Sequence, residues 1–105
     1  MAISMDDRRK GFESKWAHDA DLRFQVEARR NRALGEWAAA KKGLTGAALE
    51  DFVGSVIAAD FQEAGDEDVY RKLRSELDAS VPEAEIRAKM RECLQAAIDQ
   101  VSKTA

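Results

Sequence analysis

The sequence has one cysteine, one histidine and one proline in 105 residues. A lone cysteine cannot close a disulfide within the chain, and it rules out a cysteine-rich zinc site. One histidine cannot build a multi-histidine metal centre, and no metal is expected. Thr, Val and Ile are sparse, and apolar and polar residues nowhere alternate for more than a few positions, which argues against a β protein. No apolar run approaches the ~20 residues of a membrane span, so direct membrane insertion is not expected. The opening "MAISMDDRRK" lacks the apolar core of a secretory signal, and its two aspartates argue against a transit peptide. A cytoplasmic protein is expected. Also missing are GxGxxG, a Walker-type glycine loop, HExxH, CxxC and GxSxG. Phosphate-loop, zinc-protease, thiol-redox and serine-hydrolase chemistry therefore have no motif to rest on, and no catalytic residue is assigned.

What remains is helix-forming material. The composition, 45% hydrophobic and 35% charged, suits a soluble helical domain better than a disordered chain. The net charge of -3 conceals an asymmetry. Residues 1–32 carry eight Lys/Arg against six Asp/Glu, and residues 33–79 carry five against ten. Free nucleic acid is a poor partner for such a domain, whereas the N-terminal third can seek an acidic protein surface.

The spacing predicts four helices. The first runs from about Asp19 to Lys42, with Leu22, Val26, Ala33, Trp37 and Ala40 on one face. Lys41, Lys42 and Gly43 suit its C-terminus. Thr45 is placed as the next N-cap, with Leu44 and Leu49 as a hydrophobic staple. The second helix is expected to reach Ala64 through Leu49, Phe52, Val53, Val56, Ile57 and Phe61. Gly54 interrupts it, so close packing or tolerance is needed there. Gly65 stops this helix and Asp66 caps the third, whose apolar face is Val69, Tyr70, Leu73 and Leu77. Ser80 and Glu83 match a capping box for the fourth. Its stripe is Ile86, Met90, Cys93, Leu94, Ala97, Ile98 and Val101, and the tail 102–105 is expected to fray. The fold class expected is all-α: a compact four-helix bundle over residues 20–105, led by a mobile interaction segment, 1–19, and monomeric when free.

That leading segment carries the unusual chemistry. Met5, Phe12, Trp16, Ala20 and Phe24 share a stripe turned by roughly a quarter to a third of a circle from the face of the first helix, on a wheel of ~100° per residue. A segment detached or kinked away from the bundle follows. Arg8, Arg9, Lys10 and Lys15 surround Phe12 and Trp16, and aromatics beside arginine are the residues enriched in protein–protein hot spots. The alternatives are that Phe12 and Trp16 fold back on the bundle, or that docked and extended states alternate. His18 is a candidate pH sensor, more simply a surface residue. Cys93 on an apolar stripe reads as core. "EARRNR", 27–32, is a solvated helix face or a docking patch. Asp60, Glu63, Asp66, Glu67 and Asp68 crowd the second connection, as a charged helix junction or a weak divalent-cation site.

The runs "DDR", "FE.KWAHDA.LRF", "ARRN..LG.WAA" and "ADF.EAGDEDV.RK", in that order, resemble the ζ-subunit inhibitor of alphaproteobacterial F-type ATP synthases over nearly the whole chain. The resemblance implies a four-helix bundle that is not an enzyme. It implies that an N-terminal segment, about residues 1–20, becomes helical and wedges between α and β subunits of the catalytic head, next to the γ rotor. Rotation in the hydrolytic direction is then blocked. Phe12 and Trp16 would be anchors, Arg8, Arg9, Lys10 and Lys15 polar contacts, and Phe24 the end of the same stripe. The protein would then be peripheral at the inner membrane when bound. Nucleotide binding by the bundle is associated with the family, but no residue here can be assigned to it and no cofactor is expected. The alternative function is a helical nucleotide- or small-molecule-sensing module with the N-terminus as a fold-back lid.

Overall fold

A computed structural model describes Trp16, residues 18–60 and residues 66–104. Helix α1 spans Ala20–Lys41, α2 Gly46–Ala59, α3 Glu67–Glu76 and α4 Glu83–Thr104, with no strand among the described residues. The all-α four-helix fold expected from the sequence is therefore the fold observed.

Both ends of α1 have a chemical cause. Asp19 is extended, at φ -107° and ψ 114°, and its carboxylate accepts from the Leu22 amide at 3.1 Å, which satisfies one of the open donors at the start of α1. At the other end Gly43 adopts φ 72°. Its amide donates to the Ala40 carbonyl at 3.1 Å, and that of Leu44 donates to Ala39 at 2.9 Å, a Schellman closure that needs a residue free of a Cβ penalty. Thr45 holds the N-cap position of α2, but its hydroxyl makes no capping bond. The Ser80–Glu83 capping box is not formed either. The Ser80 amide donates to Asp78 instead, and Glu83 accepts from Arg87. Asp66 occupies the N-cap position of α3 without a capping bond, because its carboxylate is turned to Arg30.

Two helix ends differ from expectation. α2 stops at Ala59, earlier than the predicted Ala64, with Asp60 as its cap residue. Asp60 is drawn sideways into the Arg30 network described below. Phe61 and Gly65 lie outside the described residues. α4 continues to Thr104 rather than fraying after Val101, and the Ser102 hydroxyl donates to the Asp99 carbonyl one turn back.

Ion pairs and hydrogen bonds fix the helix directions. Arg29 meets Gln100 near the start of α1, and Lys41 meets Glu85 near its end, so α1 and α4 are antiparallel. Arg30 faces Asp60, and Gly35 faces Val53, so α1 and α2 are antiparallel too. Glu67 pairs with Arg87, while Arg74 donates to the carbonyls of Asp78 and Val81, which folds α4 back along α3. The result is an up-down-up-down bundle.

α1 is the central helix, packed against both α2 and α4. Its buried residues are Val26, Arg30, Asn31, Leu34, Gly35, Ala38 and Ala39, an arc of roughly 220° on the wheel. The predicted face of Leu22, Ala33, Trp37 and Ala40 lies at the edge of that arc, half-buried or exposed. The difference has a physical reason. A helix covered on two sides buries more than one narrow stripe, and here it does so with small residues and two polar ones that a search for large apolar side chains passes over.

The core has two parts. The larger joins Leu34, Ala38 and Ala39 of α1 to Phe52 and Val56 of α2, Val69, Tyr70 and Leu73 of α3, and Ile86, Met90 and Cys93 of α4. The smaller, at the end of the bundle, joins Val26 to Ala97, Ile98 and Val101, with Trp16, Leu22 and Leu94 packed on it. The predicted apolar faces of α3 and α4 are thus buried as expected, Leu94 only in part.

Candidate functional site

The segment before α1 meets the bundle at Trp16. Its ring is half-buried against the smaller cluster, and its carbonyl accepts from the Asp19 amide at 3.3 Å. Asp19 then breaks the helical path by taking an extended conformation. Even so, Trp16 packs on the bundle rather than being kinked away from it, as the fold-back alternative has it for this residue. The buried arc of α1 covers the wheel positions of Trp16, Ala20 and Phe24, so the rotation of stripes does not set them apart from the bundle face. His18 is exposed in the turn between. Phe24, on the first turns of α1, is 60% exposed, the one large hydrophobic side chain so exposed among the described residues. Arg8, Arg9, Lys10, Phe12 and Lys15 lie outside the described residues.

A second constellation sits where α1 crosses the α2–α3 connection. Arg30 is 2% exposed and donates through Nη2 to Asp60 at 3.1 Å, through Nη1 to Asp66, and through Nε to Asn31 at 3.0 Å. Asn31 in turn donates to the other oxygen of Asp60 at 2.9 Å. A buried guanidinium needs this many partners, because desolvation leaves it nothing else to bond. Among the described residues no buried side-chain nitrogen or oxygen lacks a partner. "EARRNR" is therefore not a uniform solvated face. Arg29 and Arg32 are exposed, whereas Arg30 and Asn31 are structural. The clustered carboxylates answer to the same explanation. Asp60 and Asp66 hold Arg30, and Glu67 holds Arg87. Among the described residues no three His, Cys, Asp or Glu side chains are grouped to hold a metal ion, and Glu63 lies outside them. Glu27, one turn before this network, has its carboxyl pushed above the usual range by burial first and by the negative charge of Asp60 next.

A shallow groove of about 210 Å³ runs along α3 and α4, lined by Asp66, Glu67, Arg87, Met90, Arg91 and Leu94. Arg87 stacks at 4.0 Å over the Tyr70 ring and pairs with both Glu67 and Glu83, which hold its proton more firmly than usual. Most of the charge in this groove is thus already paired within the protein. Cys93 is buried in the larger core cluster, and burial pushes its thiol up, away from reactive thiolate character.

Sequence reasoning missed Arg30, Asn31 and Gly35. The signals were available. Arg30 falls on the same side of the helix as Val26 and Leu34, and acidic residues bracket the α2–α3 connection. A glycine inside a helix asks for a close neighbour, and Gly35 has one. A Cβ there would stand 3.0 Å from the Val53 Cα. Gly54 has open space around it and is merely tolerated.

Among the described residues no helix is long and apolar enough to cross a membrane. No curated protein matches the sequence. The family model described as ATPase inhibitor subunit zeta matches residues 1–100. The match runs through the N-terminal segment as well as all but the last turn of the bundle, and the chain belongs to that family.

Proposed function

We propose that this protein inhibits ATP hydrolysis by the F-type ATP synthase through its N-terminal segment, which forms a helix that wedges between α and β subunits of the head, beside the γ rotor. The wedge obstructs rotation in the hydrolytic direction. Such an inhibitor acts sterically and uses no catalytic residue of its own. The contacts are Phe12, Trp16 and Phe24 as apolar anchors, and Arg8, Arg9, Lys10 and Lys15 as polar partners. The observation that carries this reading is the extent of the family match, which begins at residue 1 and so includes the whole aromatic and basic segment. The exposure of Phe24 supports it, since a phenylalanine left in water next to that segment gains from a partner surface. The site of action is cytoplasmic, at the head of the membrane-bound enzyme.

Deletion of residues 1–18 tests the proposal. The truncated chain should keep its helical circular dichroism and lose inhibition of ATP hydrolysis by the isolated synthase. Inhibition that survives the deletion would refute the wedge.

A further inference from the structure

Phe24 stands on the side of α1 that faces α2, but past the end of that helix. It lies seven residues before Asn31, which puts it about 10 Å further along the axis and within about 20° of the same direction. Asn31 donates to Asp60, the cap residue at which α2 stops. Phe24 is thus 60% exposed on the side of α1 where Asn31, Gly35 and Ala38 are buried.

Its surroundings are acidic. The neighbours of a side chain on a helix surface stand three and four residues away. For Phe24 these are Asp21 and Glu27 at three, and Ala20 and Ala28 at four. The two alanines leave the ring clear, and the two carboxylates flank it, each about 60° to one side. Asp60, held by Arg30 and Asn31, lies on the same side of α1. Arg23 and Arg29 are turned about 100° and 140° away from Phe24. Glu27 is short of positive charge: burial and Asp60 push its carboxyl above the usual range in spite of Arg30 and Arg23. The sequence groups Phe24 with the basic residues Arg8, Arg9, Lys10 and Lys15, but the fold gives it a rim of the opposite sign.

We propose that Phe24, flanked by Asp21 and Glu27, is a docking patch distinct from the basic segment, which seats its ring in an apolar pocket rimmed by Lys or Arg on the partner protein. That the partner is the ATP synthase head rests on the inhibitory reading above. Charge complementarity selects the occupant. An acidic rim would set like charges against Asp21 and Glu27, and a neutral one would cover Glu27 with no cation to relieve it. A basic rim does relieve it. Glu27 then lowers the stability of the free protein and strengthens the complex, opposite effects that a purely structural residue does not show.

The test uses the full chain and the isolated synthase, with affinity read by surface plasmon resonance and inhibition by ATP hydrolysis. Phe24→Ala should weaken binding on the order of tenfold or more, the usual worth of a buried phenylalanine. Asp21→Asn and Glu27→Gln should each weaken it about twofold to fivefold, the worth of one exposed ion pair. Glu27→Gln should do so while raising the unfolding midpoint at pH 7, so that lost affinity is not lost fold. Asp51→Asn removes the same charge from an exposed position on α2, away from the patch, and should bind as wild type does. Unchanged affinity in Phe24→Ala overturns the patch. Asp21→Asn or Glu27→Gln binding as tightly as wild type, or more tightly, overturns the basic rim. So does an equal loss in Asp51→Asn, which would reveal an effect of net charge. Each of these failures leaves inhibition by the wild type, and with it the inhibitory reading, in place. A wild type that binds the synthase without inhibiting it sinks that reading alone, because the affinities still decide on the patch. A wild type that does not bind overturns both.

Discussion

Arg30 Nη2 donates to Asp60 Oδ1 at 3.1 Å, from a guanidinium 2% exposed to a carboxylate 10% exposed. This pair lies between α1 and the last turn of α2, and its second acid, Asp66, opens α3. One side chain of the central helix thus ties both ends of the α2–α3 connection. Arg30→Ala removes the cation and leaves Asp60 buried with Asn31 alone. It should cost about 3 kcal/mol or more in chemical denaturation, within the range for breaking a buried pair. Asp66→Ala should cost about 1 kcal/mol or less, because the Asp66 side chain is 54% exposed and well screened. Equal effects would show that Arg30 is not held chiefly by Asp60.

The two helical glycines should respond in opposite senses. Gly35→Ala pushes a methyl group against the Val53 backbone at 3.0 Å and its Cγ2 at 3.1 Å, where neither can easily yield. A loss of about 1–3 kcal/mol is expected. Gly54→Ala meets open solvent and should gain up to about 1 kcal/mol from helix propensity. Thermal unfolding of the two variants side by side checks the pair, and a stabilising Gly35→Ala would contradict the tight α1–α2 crossing.

Glu27 sets a pH dependence of known sign. Its carboxyl is held above the ordinary range by burial and by Asp60. The folded state therefore binds this proton more tightly than the unfolded one does. Stability from this group is intact below the ordinary glutamate range and falls as pH rises towards the folded value, remaining lower at neutral pH. Glu27→Gln mimics the protonated form. It should raise the unfolding midpoint at pH 7 and leave it unchanged near pH 4. The opposite carboxylate is Glu76, held below the ordinary range by hydrogen bonds from Lys42 first and Lys72 second. Its contribution is present at neutral pH and is lost on acidification, and its exposure keeps it small.

Cys93 offers a probe of global opening. It is buried in the core with its thiol pushed up, so a thiol reagent should react with it only through unfolding. The rate should be far below that of a free thiol in native buffer, and it should rise in step with the loss of helix as denaturant is added. Fast labelling without denaturant would show that α4 exposes this position.

Much of the bundle was legible from short-range chemistry. Gly43 after two lysines closes α1 as its residue types dictate, and the stripes of α3 and α4 turn inward as their spacing predicts. The capping roles of Thr45, Asp66 and Ser80 were less predictable. A cap is one use of a short polar side chain, and tertiary partners compete for it, as Arg30 does for Asp66. The candidate interaction stripe was legible only as residue types. Where the structure describes it, Trp16 is packed and Phe24 is exposed.

The sequence by itself determined that this protein is helical, where its helices are punctuated, and that its first twenty residues carry aromatic and basic chemistry. These are properties of neighbours a few residues apart, within reach of propensity, capping and periodicity. Only the tertiary structure decided that α1 is covered on two sides. From that came the burial of Arg30, the closeness of Gly35 to Val53, and the seat of Trp16 at the end of the bundle. Each depends on which distant residues arrive opposite; the local pattern marks Arg30 and Gly35 but does not name their partners.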